Sequence, residues 1–293
     1  MISIILPTYN GEKYLDSQIS SILNQTVNFT ELIIGDDCSN DKTIDIITTF
    51  ANKDSRIKII KNSKNLGFKK NIENLILNAG CDYIALCDQD DIWEPEHLSI
   101  LLNGIGDNYL ACGDSLIIDN LGNSKNIKLS EIKHFKPNSS VKDIFNFISI
   151  YQNPFQGASM LIKREFIDIA LPIPDKVMYH DVWFAHLATL LNSFVYIPKI
   201  VTRYRIHGYN TSGSHNKTSR LKILIGHFIK GHAEDTNRKE VIAQLSDRVY
   251  KNNLKCPEYF DKVTNYFINE NNLIGRIKNL IYEIKNHKTI YGK

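Results

Sequence analysis

At 293 residues and 33.6 kDa the chain is long enough for one large α/β domain and a smaller appendage. Its 43% hydrophobic and 23% charged residues are those of an ordinary globular enzyme, and a net charge of +3 is too small to argue for a nucleic-acid partner. The five cysteines, Cys38, Cys81, Cys87, Cys112 and Cys256, form no CxxC pair and no His/Cys metal spacing, which reads as reduced thiols in a cytoplasmic protein.

The chain opens on an apolar run, residues 2–6, that passes into Pro7-Thr8-Tyr9-Asn10 with no basic leader or cleavage site. It reads as a first strand, followed by a helix whose buried stripe is Tyr14, Ile19, Ile22 and Leu23. Residues 32–34 make a second strand with Asp36-Asp37 at its carboxyl end, and Ser39-Asn40-Asp41 opens a helix carrying Ile44, Ile47 and Phe50. A third strand at 57–60, a helix at 71–79 and a fourth strand at 83–87 follow, the last ending in Asp88-Gln89-Asp90-Asp91. This alternation predicts an α/β fold with a mainly parallel central sheet and helices on both faces. Ligands of such sheets gather beyond the carboxyl ends of the strands, where both acidic clusters fall.

Farther along, residues 109–118 read as a strand, 124–140 as a polar loop, 157–162 as a strand and 182–191 as a helix opening after His180-Asp181. Residues 195–203 are strand-like. A soft boundary is expected at 212–220, around Ser212-Gly213-Ser214, with helical segments rich in Lys, Asn and Ile beyond it. No stretch reaches the length of a transmembrane helix.

Asp88, Asp90 and Asp91 are the sharpest chemical feature. Hard cations such as Mg²⁺ or Mn²⁺ take oxygen ligands, commonly one or two carboxylates plus substrate phosphates. An acidic surface turn leading into a helix at Glu94-Pro95-Glu96 is the alternative from the residues alone. Asp36-Asp37 has a comparable alternative, a helix-capping pair.

Six motifs occur in one order: Pro7-Thr8-Tyr9-Asn10, Asp36-Asp37-Cys38-Ser39, Asn65-Leu66-Gly67, Asp88-Gln89-Asp90-Asp91, His180-Asp181-Val182-Trp183 and Arg205-Ile206-His207-Gly208. Together they resemble the inverting family 2 glycosyltransferases of the GT-A fold, in the subgroup with an HDxW-type motif. That subgroup includes rhamnosyl-, galactosyl- and glucosyltransferases of bacterial surface polysaccharides such as O-antigen and capsule. The resemblance implies a GT-A domain over 1–215, with a nucleotide-binding half at 1–118 and an acceptor half at 119–215, and a helical region at 216–293.

It also implies roles. Pro7, Thr8, Tyr9, Asn10, Glu12, Asp36 and Asp37 would hold the nucleoside of a nucleotide-sugar donor, with Asn65, Gly67 and Asn71 lining the pocket. Asp88, Gln89 and Arg205 would meet the donor. Asp88 and Asp90, completed by His207, would hold Mn²⁺ or Mg²⁺, and Asp91 would support them. Asp181 matches the catalytic base. Asn153, Gly157, His180 and Trp183 would face the acceptor, a glycan or a polyprenyl-diphosphate-linked sugar; an aromatic at Trp183 reads equally well as core. The QxxRW motif of processive synthases is absent, which implies transfer of a single sugar. UDP-galactose, UDP-glucose and dTDP-rhamnose all fit.

Two rivals stay open. A sugar-1-phosphate nucleotidyltransferase would want a basic, Gly-rich first loop, and a non-catalytic sugar-nucleotide-binding protein would lack the acidic residues present here. Basic-apolar stretches at 220–230 and 273–284 suit either peripheral contact with the inner face of a membrane or packing on the catalytic domain.

Overall fold

The protein is described from a computed structural model, over residues 1–208 and 236–268. The elements run β1 (Ile2–Thr8), α1 (Leu15–Leu23), β2 (Glu31–Asp36), α2 (Thr43–Ala51), β3 (Ile57–Lys61), α3 (Phe68–Asn78), β4 (Tyr83–Leu86), β5 (Ile92–Trp93) and α4 (His97–Ile105). They continue with β6 (Leu110–Ile118), β7 (Ser124–Lys128), α5 (Leu129–Ile132), α6 (Val141–Ile150), β8 (Met160–Lys163), α7 (Arg164–Ala170), α8 (His180–Leu190) and β9 (Phe194–Arg205). Two more helices are α9 (Thr236–Lys251) and α10 (Glu258–Ile268). The expected linker at Ser212-Gly213-Ser214 and the basic-apolar stretches at 220–230 and 273–284 lie outside the described residues.

Packing divides the described residues into two compact units, along lines other than the expected boundaries at 118 and 215. One unit holds Met1–Leu129, Phe155–Ile173 and the chain from Phe194 to Gly208; the other holds Ser130–Pro154, Pro174–Ser193 and residues 236–268.

The first unit is built on a sheet of order β3-β2-β1-β4-β8-β6-β9-β5, with β7 paired to β6. β1 and β2 are buried along their whole length, as strands covered on both faces must be, and this explains their unbroken apolar runs. Ile4, Leu6, Ile19, Ile22, Leu32, Ile34, Leu98 and Leu101 belong to its core. The expected parallel core is the set β3-β2-β1-β4. Beyond it the sheet is mixed: β8 runs antiparallel to both β4 and β6, while β9 is parallel to β6. Two antiparallel steps restore the direction, so β6 and β9 end at the same edge as β1, β2 and β4. The register Thr8↔Asp36 brings the exits of β1 and β2 level, while β4 ends earlier, its Leu86 beside Ile5, so that the acidic loop runs on along the end of β1. The pairing of Ile92 with Arg203 lays the acidic loop beside the end of β9.

The polar stretch at 124–140 is more ordered than its composition suggests. Asp119 accepts bonds from the Leu121 and Asn123 amides, Gly122 turns the chain at φ +89°, and β7 then pairs back onto β6. The expected strand at 157–162 begins later, after a single 3₁₀ turn at Gly157–Ser159.

The second unit packs α6, α8, α9 and α10. Ser140 caps α6, its hydroxyl accepting from the Asp143 amide at 3.2 Å and donating to the Asp143 carboxylate at 2.7 Å. Phe145, Phe147, Trp183, Phe184, Leu187, Val241, Leu245, Phe260 and Val263 are buried there. Among the described residues no helix is long and apolar enough to cross a membrane.

Gly113 marks the tightest crossing of β6 and β9: a Cβ at this position would lie 2.3 Å from Cγ2 of Val201. Gly113→Ala is expected to destabilise the protein by about 1–3 kcal/mol in a urea titration, through overpacking. Gly113→Ala combined with Val201→Ala should recover part of that loss. A double variant no better than Gly113→Ala alone would place the strain elsewhere.

Candidate active site

The loops leaving β1 and β2 are laced together by polar side chains rather than by apolar packing. Gln89 reads the backbone of Tyr9 from both sides: its Oε1 accepts from the Tyr9 amide at 2.9 Å and its Nε2 donates to the Tyr9 carbonyl at 3.0 Å. Gly11 permits this approach, since a Cβ there would come within 2.4 Å of the Gln89 oxygen. The Asn10 amide donates to Ser39 Oγ, the Gly11 amide to Thr43 Oγ1 and the Glu12 amide to Asp41. In return Asn10 accepts from the Asn40 amide and Glu12 from the Lys42 amide. Burial acts to raise the Asp41 carboxyl, but the Thr43 hydroxyl and the Glu12 and Thr43 amides outweigh it and hold the group below its ordinary range. Pro7 and Thr8 are buried in the strand, and Tyr9 stands out at 46% exposed.

Asp36 and Asp37 are both buried but differ in occupation. Asp37 is fully engaged within the protein, accepting from Asn62 Nδ2 at 2.9 Å and from the Leu66 and Gly67 amides at 2.7 and 2.8 Å. Asn65 donates to the Asp37 carbonyl and accepts from the Gly67 amide. Asn71 donates to the Gly35 carbonyl and accepts from Asn62. These residues shape the loop that enters α3, where Gly67 takes φ +79°. Asp36 is otherwise: Oδ2 accepts from the Ser39 amide at 3.1 Å, while the buried Oδ1 has no hydrogen-bond partner. A buried acceptor left open costs free energy, about 1–3 kcal/mol, unless a ligand donor reaches it.

The acidic loop is fixed to the end of β9. Asp91 is wholly buried; its Oδ1 accepts from the Arg205 amide at 2.9 Å and its Oδ2 from Gln156 Nε2 at 2.5 Å. Burial pushes its carboxyl well up, and the neighbouring Asp90 and Asp88 push the same way against those two donors. The Arg205 guanidinium donates from Nε to the Asp90 carbonyl at 2.8 Å and lies 4.5 Å over the Tyr14 ring. Its Nη1 reaches the Asp119 carbonyl at 3.3 Å, so much of the guanidinium is used inside the protein. Two residues on, His207 stacks on the same Tyr14 ring at 5.1 Å and sets its Nε2 2.8 Å from Asp90 Oδ2.

Asp90 and His207 therefore converge as an oxygen and a nitrogen donor, both partly open to solvent. Among the described residues no group of three or more His, Cys, Asp or Glu side chains is arranged to hold a metal.

Asp181 lies in the second unit, at the first turn of α8. Its Oδ1 accepts from the Val182 amide at 2.7 Å. Burial raises its carboxyl to about 6, against the Val182 amide and the positive charge of Lys133. Burial alone takes the neighbouring His180 down to about 3, so that it is a neutral imidazole, edge-on to Phe184. Trp183 is wholly buried beneath the Arg248 guanidinium, at 5.1 Å from its ring. It is core rather than the floor of an acceptor-sugar site. Asn153 belongs to this unit and is partly exposed, whereas Gly157 belongs to the first and is buried.

The first unit thus brings together Tyr9, Asn10, Glu12, Asp36, Asp37, Gln89, Asp90, Arg205 and His207 at one sheet edge. Tyr14 and Asn62 lie in none of the six motifs, and Gln156 belongs to the Gln156-Gly157-Ala158 segment whose resemblance implied an acceptor-side place. Tyr14 has the spacing of a core residue, and Arg205 and His207, which lie against its ring, are distant from it in sequence.

A model of the family described as glycosyl transferase family 2 matches residues 3–169. An uncharacterised glycosyltransferase of Haemophilus influenzae is 30% identical over 232 residues, covering 74% of this chain and 68% of that protein. The Escherichia coli UDP-Glc:alpha-D-GlcNAc-diphosphoundecaprenol beta-1,3-glucosyltransferase WfgD is 36% identical over 103 residues, covering 35% of this chain and 40% of its own. In fold, the chain is similar to Staphylococcus aureus TarS (residues 1–349) in complex with UDP-GlcNAc, with a TM-score of 0.57 at 17% identity, over 99% of this chain and 90% of that one.

The raised Asp181 carboxyl has a consequence for stability. In the unfolded chain the group titrates near 3.9, so from about pH 4 to 6 the folded protein holds a proton that the unfolded one releases, and stability falls as pH rises through that window. Asp181→Asn keeps an acceptor for the Val182 amide and removes the buried charge. The variant is expected to be more stable than the parent by roughly 1–2 kcal/mol at pH 8, with no gain below pH 4, in parallel denaturant titrations. A gain of equal size at both pH values would show that the charge is not its origin.

Proposed function

The chain belongs to glycosyl transferase family 2, and we propose that it transfers one hexosyl or 6-deoxyhexosyl residue, with inversion, from a nucleotide-sugar donor to a glycan or lipid-linked acceptor of a bacterial surface polysaccharide. The observation that carries this reading is the meeting, at one sheet edge, of the open carboxylate oxygen of Asp36 with the Asp90–His207 pair. The first suits an N–H or O–H of a nucleoside, and the second suits the cation that accompanies a diphosphate. UDP-glucose, UDP-galactose and dTDP-rhamnose are the donors considered. The names of WfgD and of the TarS complex, which carry UDP-sugars, favour a uridine nucleotide. WfgD's name also favours a lipid-diphosphate-linked acceptor.

Tyr9, exposed beside Gln89, offers a ring face to the base, and Asp36 accepts from the nucleoside. Asp90 and His207, with Asp88, are the residues that would hold Mn²⁺ or Mg²⁺. Such a cation, when bound, neutralises the charge that grows on the leaving diphosphate. Asp181 is the base. It removes the proton of the acceptor hydroxyl as that oxygen bonds to the anomeric carbon, while the C–O bond to the nucleoside diphosphate breaks on the opposite side. A carboxyl that titrates near 6 is ionised at neutral pH yet more basic than an ordinary carboxylate, which suits a general base.

Three outcomes test this reading. Asp181→Asn should lower kcat by roughly 10²–10⁴-fold and leave UDP affinity unchanged; unaltered turnover would remove Asp181 from the mechanism. For the parent, kcat should rise with pH through about 6 and then level, and a profile flat from pH 5 to 8 would speak against this base. Asp90→Ala should abolish the gain in UDP affinity that Mn²⁺ confers, read by calorimetry with and without the metal.

A further inference from the structure

Behind the acidic loop, a row of buried polar side chains leads away from Asp91 into the first unit. Gln156 Nε2 contacts Asp91, and Gln156 Oε1 accepts from Ser115 Oγ at 2.8 Å. Ser115 Oγ lies 2.9 Å from Ser159 Oγ, which lies 2.9 Å from Thr202 Oγ1, itself 3.4 Å from His97 Nδ1. Gln156 is 8% exposed, Ser115 1%, and Asp91, Ser159, Thr202 and His97 are at 0%. The row crosses β6, the 3₁₀ turn before β8, and β9, positions where apolar side chains would pack at lower cost.

Its outer end is the acidic loop. The Gln156 amide is used at both ends, its Nε2 donating to Asp91 and its Oε1 accepting from Ser115. Ser115 therefore holds the far end of the amide whose near end meets Asp91. Asp91 in turn accepts from the Arg205 amide, and Arg205 donates to the Asp90 carbonyl. The position of Asp90 relative to His207 follows from this sequence of bonds.

We infer that Gln156 is a positioning residue: held by Ser115, it fixes Asp91 and so sets Asp90 and His207 at the separation that binds a divalent cation with a nucleoside diphosphate. The inference rests on the proposed donor site. It assigns Gln156 a role distinct from the acceptor-side position implied for its segment.

The test uses the full chain with Mn²⁺ and UDP as probes. Gln156→Met, similar in size and without an amide, should fold, melt below the parent because Asp91 loses one donor, and bind UDP alone as the parent does. Its Mn²⁺-dependent gain in UDP affinity should fall by roughly 10–100-fold, the usual effect of removing a support behind a metal ligand. Ser115→Ala should lose less, and the double variant should bind no worse than Gln156→Met alone, because both act through one amide. Should Gln156→Met fail to fold, Ser115→Ala, which removes one hydroxyl, carries the test by the same loss of Mn²⁺-dependent gain. A parent-like Mn²⁺ gain in either folded variant, or losses that multiply in the double variant, would overturn the inference while leaving the donor site intact. A parent chain whose UDP binding ignores Mn²⁺ would overturn the metal reading and this inference together.

Discussion

A carboxylate with no water around it must be given hydrogen bonds from the protein, and Asp91 receives two: the amide of Arg205 and the side chain of Gln156. Much of the first unit's polar architecture is arranged to supply them. β9 must end where it does for the Arg205 amide to face Asp91, and the turn before β8 must carry Gln156 inward. The charges of Asp88 and Asp90 oppose ionisation of Asp91, and the two donors offset part of the cost of its burial. Such a constraint holds the acidic loop in one shape before any ligand arrives.

The exits of β1 and β2 show the same economy by different means. Side-chain-to-backbone bonds from Gln89, Ser39, Thr43, Asp41, Asn10 and Glu12 lace these loops and satisfy amides that no strand pairs. Within that lacing, adjacent aspartates take opposite roles. Asp37 has its oxygens filled by Asn62, Leu66 and Gly67, while Asp36 keeps one buried oxygen open. The open atom is the one available to an incoming donor; the filled ones make the wall that holds it.

The order of strands was legible because parallel strands buried on both faces leave unbroken apolar runs, and because each exit is marked by Pro, Gly or Asp. The edge at which the acidic clusters meet follows from that order alone. Motif resemblance named candidate residues, yet it carried no information on which of them are already bonded within the protein. Asn65 and Asn71 were expected to line a pocket; Asn71 is buried and bonded to Gly35 and Asn62, while the exposed Asn65 bonds to the Asp37 carbonyl and the Gly67 amide. Trp183 sits in the core of the second unit. Gln156 was read only as part of an acceptor-side segment and Tyr14 only as core, because their contacts with Asp91 and Arg205 arise from strands paired across long stretches of sequence. The hairpin of β6 and β7 was hidden by a composition of Ser, Asn and Lys, since an exposed strand needs no apolar face.

Asp181, the base proposed above, shows how chemistry can separate a reactive group from a structural one where packing does not. Its helix-capping bond to the Val182 amide is one that any first-turn aspartate makes, and it would itself lower the carboxyl. The group is nevertheless raised to about 6, so burial outweighs both the amide and the favourable charge of Lys133. A purely structural cap gains nothing from that burial, since the same bond at the surface costs less. A base gains a proton affinity closer to neutral pH, so the destabilisation that burial brings at neutral pH is the expected mark of a residue kept for its reactivity.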